Sequence, residues 1–245
     1  MSSRICCLAL FLAGGIAIAP APTESSAAAD PIVTRTMIAG LSVNRRPIRI
    51  VERGDPDSPT KVLVVGCIHG DEPAGIAVAE KLESTPLPPE ASLWIVENAN
   101  PDGVTAGTRT NAHGVDLNRN FPWRWRPYGQ PGNRHYSGPH ALSEPESSLL
   151  ARLVLRLRPN VSIWFHQPYG VVDESGGDVA IERRFAAVAG LPLQRLTRYP
   201  GGVTNWENAR LPGSTAFVVE LPGGAPAPSL IARVTDAVRS VASRG

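Results

Sequence analysis

The chain has 245 residues, 42% of them apolar, and its 24 basic and 22 acidic side chains leave a formal charge of only +2. No Lys/Arg run stands out, which excludes nucleic acid as the main partner, because phosphate binding needs a concentrated basic face. The 23 Gly and 24 Pro, set against that apolar content, indicate a folded protein with many ordered loops rather than a disordered chain.

Residues 1–29 have the pattern of an export signal: Arg4, an apolar run over 5–19, and Ala27-Ala28-Ala29 before Asp30. Ala17-Ile18-Ala19 is a poorer cleavage site because Pro20 follows it. That run is short for a bilayer crossing, and no later stretch approaches the roughly 20 apolar residues required. The expectation is a secreted protein without stable membrane insertion after processing, with residues 30–245 as one domain. Cys6 and Cys7 fall in the signal, so Cys67 is left without an intramolecular partner. Flanked by Gly66 and Ile68, it reads as core packing rather than as a ligand.

Residues 30–55 are polar and turn-rich, with one short strand at 48–51, and 54–59 form a turn cluster. A buried strand is expected at 62–66, then His-Gly-Asp-Glu at 69–72, then an Ala-rich helix from about Pro73. SLWIV at 92–96 is a second buried strand. Residues 97–142 show little periodicity, and a loop of that length is uncommon unless functional. Ser143 with Glu146 has the spacing of a capping box before a Leu-rich helix ending at Arg158-Pro159-Asn160. A third strand, 161–165, leads into His166, and 167–179 read as irregular. A helix over 179–190, a loop at Gly201-Gly202, a strand at 216–219 ending in Glu220, and a helix over 229–241 complete the chain. Strands alternating with helices predict an α/β fold: a three-layer α/β/α sandwich around a mixed, mainly parallel twisted sheet.

His69, Glu72, His166 and Glu220 all fall at the carboxyl ends of expected core strands, the edge where open α/β sheets bind ligands. Two imidazoles and one carboxylate supply the three protein ligands of a catalytic zinc site. Glu220 then becomes the candidate general base, because a carboxylate directly after the buried run Phe217-Val218-Val219 needs a partner. Arg109 and Arg119 are candidate anion clamps, since a guanidinium forks onto a carboxylate or an oxyanion.

In these motifs the chain resembles the M14 family of zinc carboxypeptidases. The matches are H-G-D-E (69–72), N-P-D-G (100–103), D-L-N-R-N-F-P (116–122), S-E-P-E (143–146), His166 and Glu220, in family order over about 60–222. The resemblance implies one zinc ion on His69, Glu72 and His166, with Glu220 as catalytic acid/base assisting attack by zinc-bound water. It implies that Arg109 polarises the scissile carbonyl, that Asn118 and Arg119 hold the substrate's terminal carboxylate, and that Asp116 orients a zinc-ligating His. The loop Gly201-Gly202-Val203-Thr204-Asn205-Trp206 resembles the substrate-pocket loop. The family's pancreatic-type members place a Tyr four residues before that glycine pair, where this chain has Thr197; Tyr199 is nearer and is left outside the catalytic set.

The compact length and H-G-D-E resemble the bacterial branch that includes murein peptide amidases, which cleave the γ-D-glutamyl–diaminopimelate bond of cell-wall peptides. HQPYGVVD (166–173) is similar to that branch's run ending in an acid, and Asp173 is the candidate partner for the extra ammonium group of diaminopimelate. Two rivals are weighed. An N-acyl-amino-acid amidohydrolase of the aspartoacylase or succinylglutamate-desuccinylase kind shares H-G-x-E and D-L-N-R-like motifs, but N-P-D-G and S-E-P-E favour the peptidase. A catalytically inactive wall-peptide-binding protein would not need the full ligand set and Glu220. A serine hydrolase is not supported, since no G-x-S-x-G occurs.

Overall fold

A computed structural model describes residues 33–242. The segment expected to be an export signal, residues 1–29, lies outside the described residues. The described residues form one eight-stranded sheet in the order β1-β2-β4-β3-β5-β8-β6-β7. Its centre is β3 (Thr60–Val65), β4 (Ala91–Val96), β5 (Val161–His166) and β8 (Thr215–Pro222), joined in parallel as β4-β3-β5-β8. These strands are apolar almost throughout because both of their faces are covered. The flanks are mixed. β1 (Val33–Leu41) and β2 (Pro47–Gly54) add antiparallel on one side. On the other, β6 (Tyr169–Asp173) pairs antiparallel with β8, and the two-residue β7 (Leu193–Gln194) pairs parallel with β6.

One face packs against helices α1 (Ala74–Ser84), α4 (Val179–Ala189) and α6 (Pro228–Ala242). Their apolar stripes meet Val62, Val64, Ile163, Phe165 and Phe217 in a continuous core. The opposite face is covered by α3 (Pro145–Leu157), α5 (Val203–Arg210) and the long segment 97–142, with Leu63, Val65, Trp164 and Val218 beneath them. The α/β class and layered architecture match the sequence expectation, and it is this second, loop-covered face that carries the polar residues.

Several elements differ from expectation. β1 was read as turn-rich because it is an edge strand, paired on one side only, and its Thr and Arg residues face outward. β6 occupies part of the stretch expected to be irregular, so Asp173 ends a strand. Glu220 lies inside β8, two residues before its end, rather than after it. The capping box does not form: Glu144 is the N-cap residue of α3 and makes no side-chain cap bond. Glu146 instead reaches away, accepting from Val43 N–H and Asn111, while Asn111 and Asn120 bind the rest of S-E-P-E. α5 and the short α2 (Pro101–Ala106) were missed, the former because only four of its eight residues are buried and no apolar stripe marks it.

Candidate active site

N-P-D-G builds the first support. Asn100 caps α2 by accepting from Gly103 N–H, and its Nδ2 donates to the carbonyls of Ile68 and Arg109. Asp102, buried in the first turn, accepts from Arg46 and from Asn44 N–H. This fixes the loop against H-G-D-E so tightly that a Cβ on Gly70 would collide with the Gly103–Val104 backbone. Glycine at 70 is therefore a packing requirement.

D-L-N-R-N-F-P divides its residues by side. Leu117 and Phe121 enter the core. Asn120 is buried and ties the long loop together through Ser137 O, His140 O and Ser143. Asp116, Asn118 and Arg119 remain for the site. The 3-10 turn Leu117–Arg119 is opened by Asp116, which accepts from Asn118 N–H.

The sheet supplies the other half. Side chains at Ser162, Trp164 and His166 share one face of β5, and the register sets His166 beside Glu220 of β8. Thus side chains from three sequence-distant segments converge: His69 with Glu72, His166, and Glu220. His69 Nδ1 lies 2.9 Å and His166 Nδ1 2.8 Å from the same oxygen, Glu72 Oε2. The three donor atoms lie within 4.8 Å of one another, and all three residues are buried.

This donor set fits a divalent metal. His69 Nε2 lies 3.0 Å from Asp116 Oδ1 and donates its proton there, which turns the Nδ1 lone pair toward the Glu72 carboxylate. Two acceptors facing each other need a cation between them. Without a metal that cation is a proton: burial and Arg109 pull the His69 imidazole down, but Glu72 and Asp116 outweigh them and hold it above its ordinary value. His166 is pulled below its ordinary value by burial and by His69. Burial pushes Glu72 and Asp116 up, yet the imidazoles, with Arg109 beside Asp116, hold both carboxylates well below the usual range. Two imidazole nitrogens and one ionised carboxylate, dressed by a carboxylate-bound imidazole, make a catalytic zinc donor set.

Arg109 donates from Nε to Asp116 (2.9 Å) and from Nη1 to Glu72 Oε1 (2.6 Å). A cavity of about 740 Å³ opens over the site, with Glu72, Arg109, Asn118, Arg119, His166 and Glu220 in its wall. Two atoms around it lack partners. Arg119 stacks on Tyr199 at 4.4 Å, but its buried Nε has no hydrogen bond. Glu220 Oε2 is likewise buried without a partner, and burial together with the Glu72 charge pushes Glu220 up to about 7. An unmatched guanidinium nitrogen and an unmatched carboxylate oxygen in one cavity wall suit an anion and a proton donor, respectively.

The glycine pair also acts through packing. Gly201 has φ +75°, and a Cβ there would strike the Arg119 backbone. Val203 N–H donates to Asn118 Oδ1 (2.9 Å), so the pocket loop and D-L-N-R-N-F-P position each other.

The structure brings together His69, Glu72, Asp116, Arg109, Asn118, Arg119, His166 and Glu220. Asp173 also lines the cavity, but not as a free carboxylate: it accepts from Leu196 N–H (2.9 Å) and from Arg198 Nη1 (2.6 Å). Arg134 and His135 were not singled out from sequence, yet both line the cavity, and His135 Nδ1 lies 3.3 Å from Asp116 Oδ2. Their signal was weak, an Arg-His pair in a Gly- and Pro-rich loop.

Such a sheet edge, with a two-histidine, one-glutamate cluster and a buried glutamate beside it, defines a zinc-peptidase type of protein. The zinc carboxypeptidase (Peptidase M14) family model matches residues 22–172, more than half of the chain, and the chain belongs to that family. Murein peptide amidase A of Vibrio campbellii is 34% identical over 185 residues, 68% of this chain and 71% of that protein. Murein peptide amidase A of Escherichia coli K12 is 30% identical over 157 residues, 59% of this chain, and the match spans 64% of that relative's length. The crystal structure of a murein-tripeptide amidase from Escherichia coli O157 superposes with a TM-score of 0.70 at 25% identity, covering 88% of this chain and 96% of that one.

Proposed function

We propose that the protein is a zinc metallopeptidase that hydrolyses the amide bond before a C-terminal residue, in cell-wall peptides at γ-D-glutamyl–diaminopimelate. The observation that carries this reading is the buried, unpartnered Glu220 oxygen on a residue that shares a cavity wall with Glu72 and His166, two of the three clustered metal donors. The murein peptide amidases among its relatives support the substrate class.

A zinc ion on His69, Glu72 and His166 supplies a Lewis acid that polarises the carbonyl and acidifies water. Asn118 and Arg119, both in the cavity wall, bind the terminal carboxylate, Arg119 through its guanidinium. Arg109 places its charge where the carbonyl oxygen becomes anionic. Glu220 takes a proton from the attacking water and returns it to the leaving nitrogen as the C–N bond breaks. Burial raises the Glu220 carboxyl above its ordinary value, which suits a group that must both take and return a proton. Asp116 keeps the His69 lone pair aimed at the metal position throughout.

The apolar segment 5–19 ahead of this domain supports export to the compartment where wall peptides are found. Mass spectrometry of muropeptides digested by wild type and Glu220→Gln tests the reaction. The wild type should release diaminopimelate from tripeptide stems, and the variant should not. Near-wild-type release by Glu220→Gln would sink the mechanism.

A further inference from the structure

A second cavity, of about 510 Å³, adjoins the first. The two share Glu72, Arg134, Gln167 and Pro168, but neither Asn118 nor Arg119 borders the second. Apart from Asp71, which pairs with Arg134, its remaining wall is small and apolar, from Pro73, Ala74 and Ala77 on one side and 223–226 on the other. If the leaving residue's carboxylate sits on Asn118 and Arg119, the acyl residue departs through this second cavity. Arg134 is the one cation in its wall, and it stands at the border of both cavities. Among the described residues its only ion pair is with Asp71 at 3.2 Å, and its side chain is 60% exposed. Its guanidinium therefore has donors to spare beside Glu72, on the acyl side of the scissile bond.

We propose that Arg134 determines specificity by binding a free carboxylate on the acyl residue, the group that distinguishes a γ-linked glutamyl donor from its amidated form. The proposal rests on the peptide-amidase reading above. In a γ-glutamyl donor the α-carboxylate carbon lies four bonds from the scissile carbon, about 5 Å when extended. Arg134 lines the same cavities as Glu72 and is paired to the adjacent Asp71. A planar fork of N–H donors suits a carboxylate and has less to offer a neutral carboxamide.

Two synthetic stem tripeptides test this, identical except that the D-glutamyl α-group is a carboxylate in one and a carboxamide in the other. Wild type should cleave the carboxylate form with the higher kcat/KM. Arg134→Gln should lose about tenfold on that substrate, mainly through KM, and change little on the carboxamide. Arg134→Lys should fall between, and would serve in its place if Arg134→Gln failed to fold. An unchanged ratio in the variants, with wild type active on both, overturns the role of Arg134 and leaves the amidase reading intact. Cleavage of neither tripeptide by wild type overturns both.

Discussion

Two regions on the same face of the sheet bury a glutamate, and they use it in opposite ways. Glu207, on α5, reaches the middle of β5, where Oε1 lies 2.5 Å from Ser162 Oγ and Oε2 3.3 Å from Trp164 Nε1. Glu220, on β8, lies at the sheet's carboxyl edge in the cavity wall, with its buried Oε2 unpartnered. Burial pushes both up to about 7. A raised pKa by itself therefore does not mark the working group here. The difference is in satisfaction and placement: Glu207 has a partner for each oxygen and borders neither cavity described above, while Glu220 has an unpartnered oxygen and shares a cavity wall with Glu72 and His166.

The comparison breaks most visibly at Glu220. Glu220→Gln should lower kcat by about 10²–10⁴-fold, the range for a general acid–base group. Zinc content and melting temperature should stay near wild type, because the glutamine oxygen can still accept from Tyr169 N–H and the other carboxylate oxygen had no partner. A variant that keeps its activity but melts early would make Glu220 a second Glu207. Next in size is Asp116→Asn, which removes the negative charge and leaves one acceptor oxygen where His69 Nε2 and Arg109 Nε use two. Zinc affinity, measured by competition with a chelator, should fall about 10–100-fold.

Glu207→Gln should leave zinc binding alone and act on stability. The folded carboxyl titrates near 7 and the unfolded one near its model value of 4.5. The folded state therefore binds more protons between those values, and wild-type stability falls as pH rises through that window. Ionising the buried group costs about 3 kcal/mol above pH 7. Glutamine avoids that cost and loses one long hydrogen bond, about 1 kcal/mol. Urea denaturation should show the variant more stable by about 2 kcal/mol at pH 8, with the gain vanishing toward pH 5. A constant difference across pH would mean that Glu207 is not the titrating group. The smallest effect is expected for Ser162→Ala, which removes one neutral partner of Glu207 and should cost about 1 kcal/mol at pH 6 with activity retained.

How much was legible in the sequence follows the same division. The central strands could be read because burial on both faces makes them continuously apolar, and their ends gave His69, Glu72, His166 and Glu220. β1 was not legible, since an edge strand obeys neither that pattern nor a strict alternation. Ser143 and Glu146 had the spacing of a capping box, but tertiary partners at Asn111 and Val43 outbid the local bond. Asp173 carried a charge in a motif-like run, and only packing disclosed that Arg198 and Leu196 already hold it.

By itself, the sequence determined the class of chemistry. Residue types fix which groups can bind a metal, move a proton or clamp a carboxylate, and strand periodicity fixes which end of the sheet they occupy. Tertiary structure decided which of them are still free to act. That depends on the third partner of each group, and such partners come from elements tens of residues away: Asp116 for His69, Val203 for Asn118, Arg198 for Asp173. Hydrogen bonds and ion pairs are satisfied in space, so availability is a property of the fold, while capability belongs to the residue.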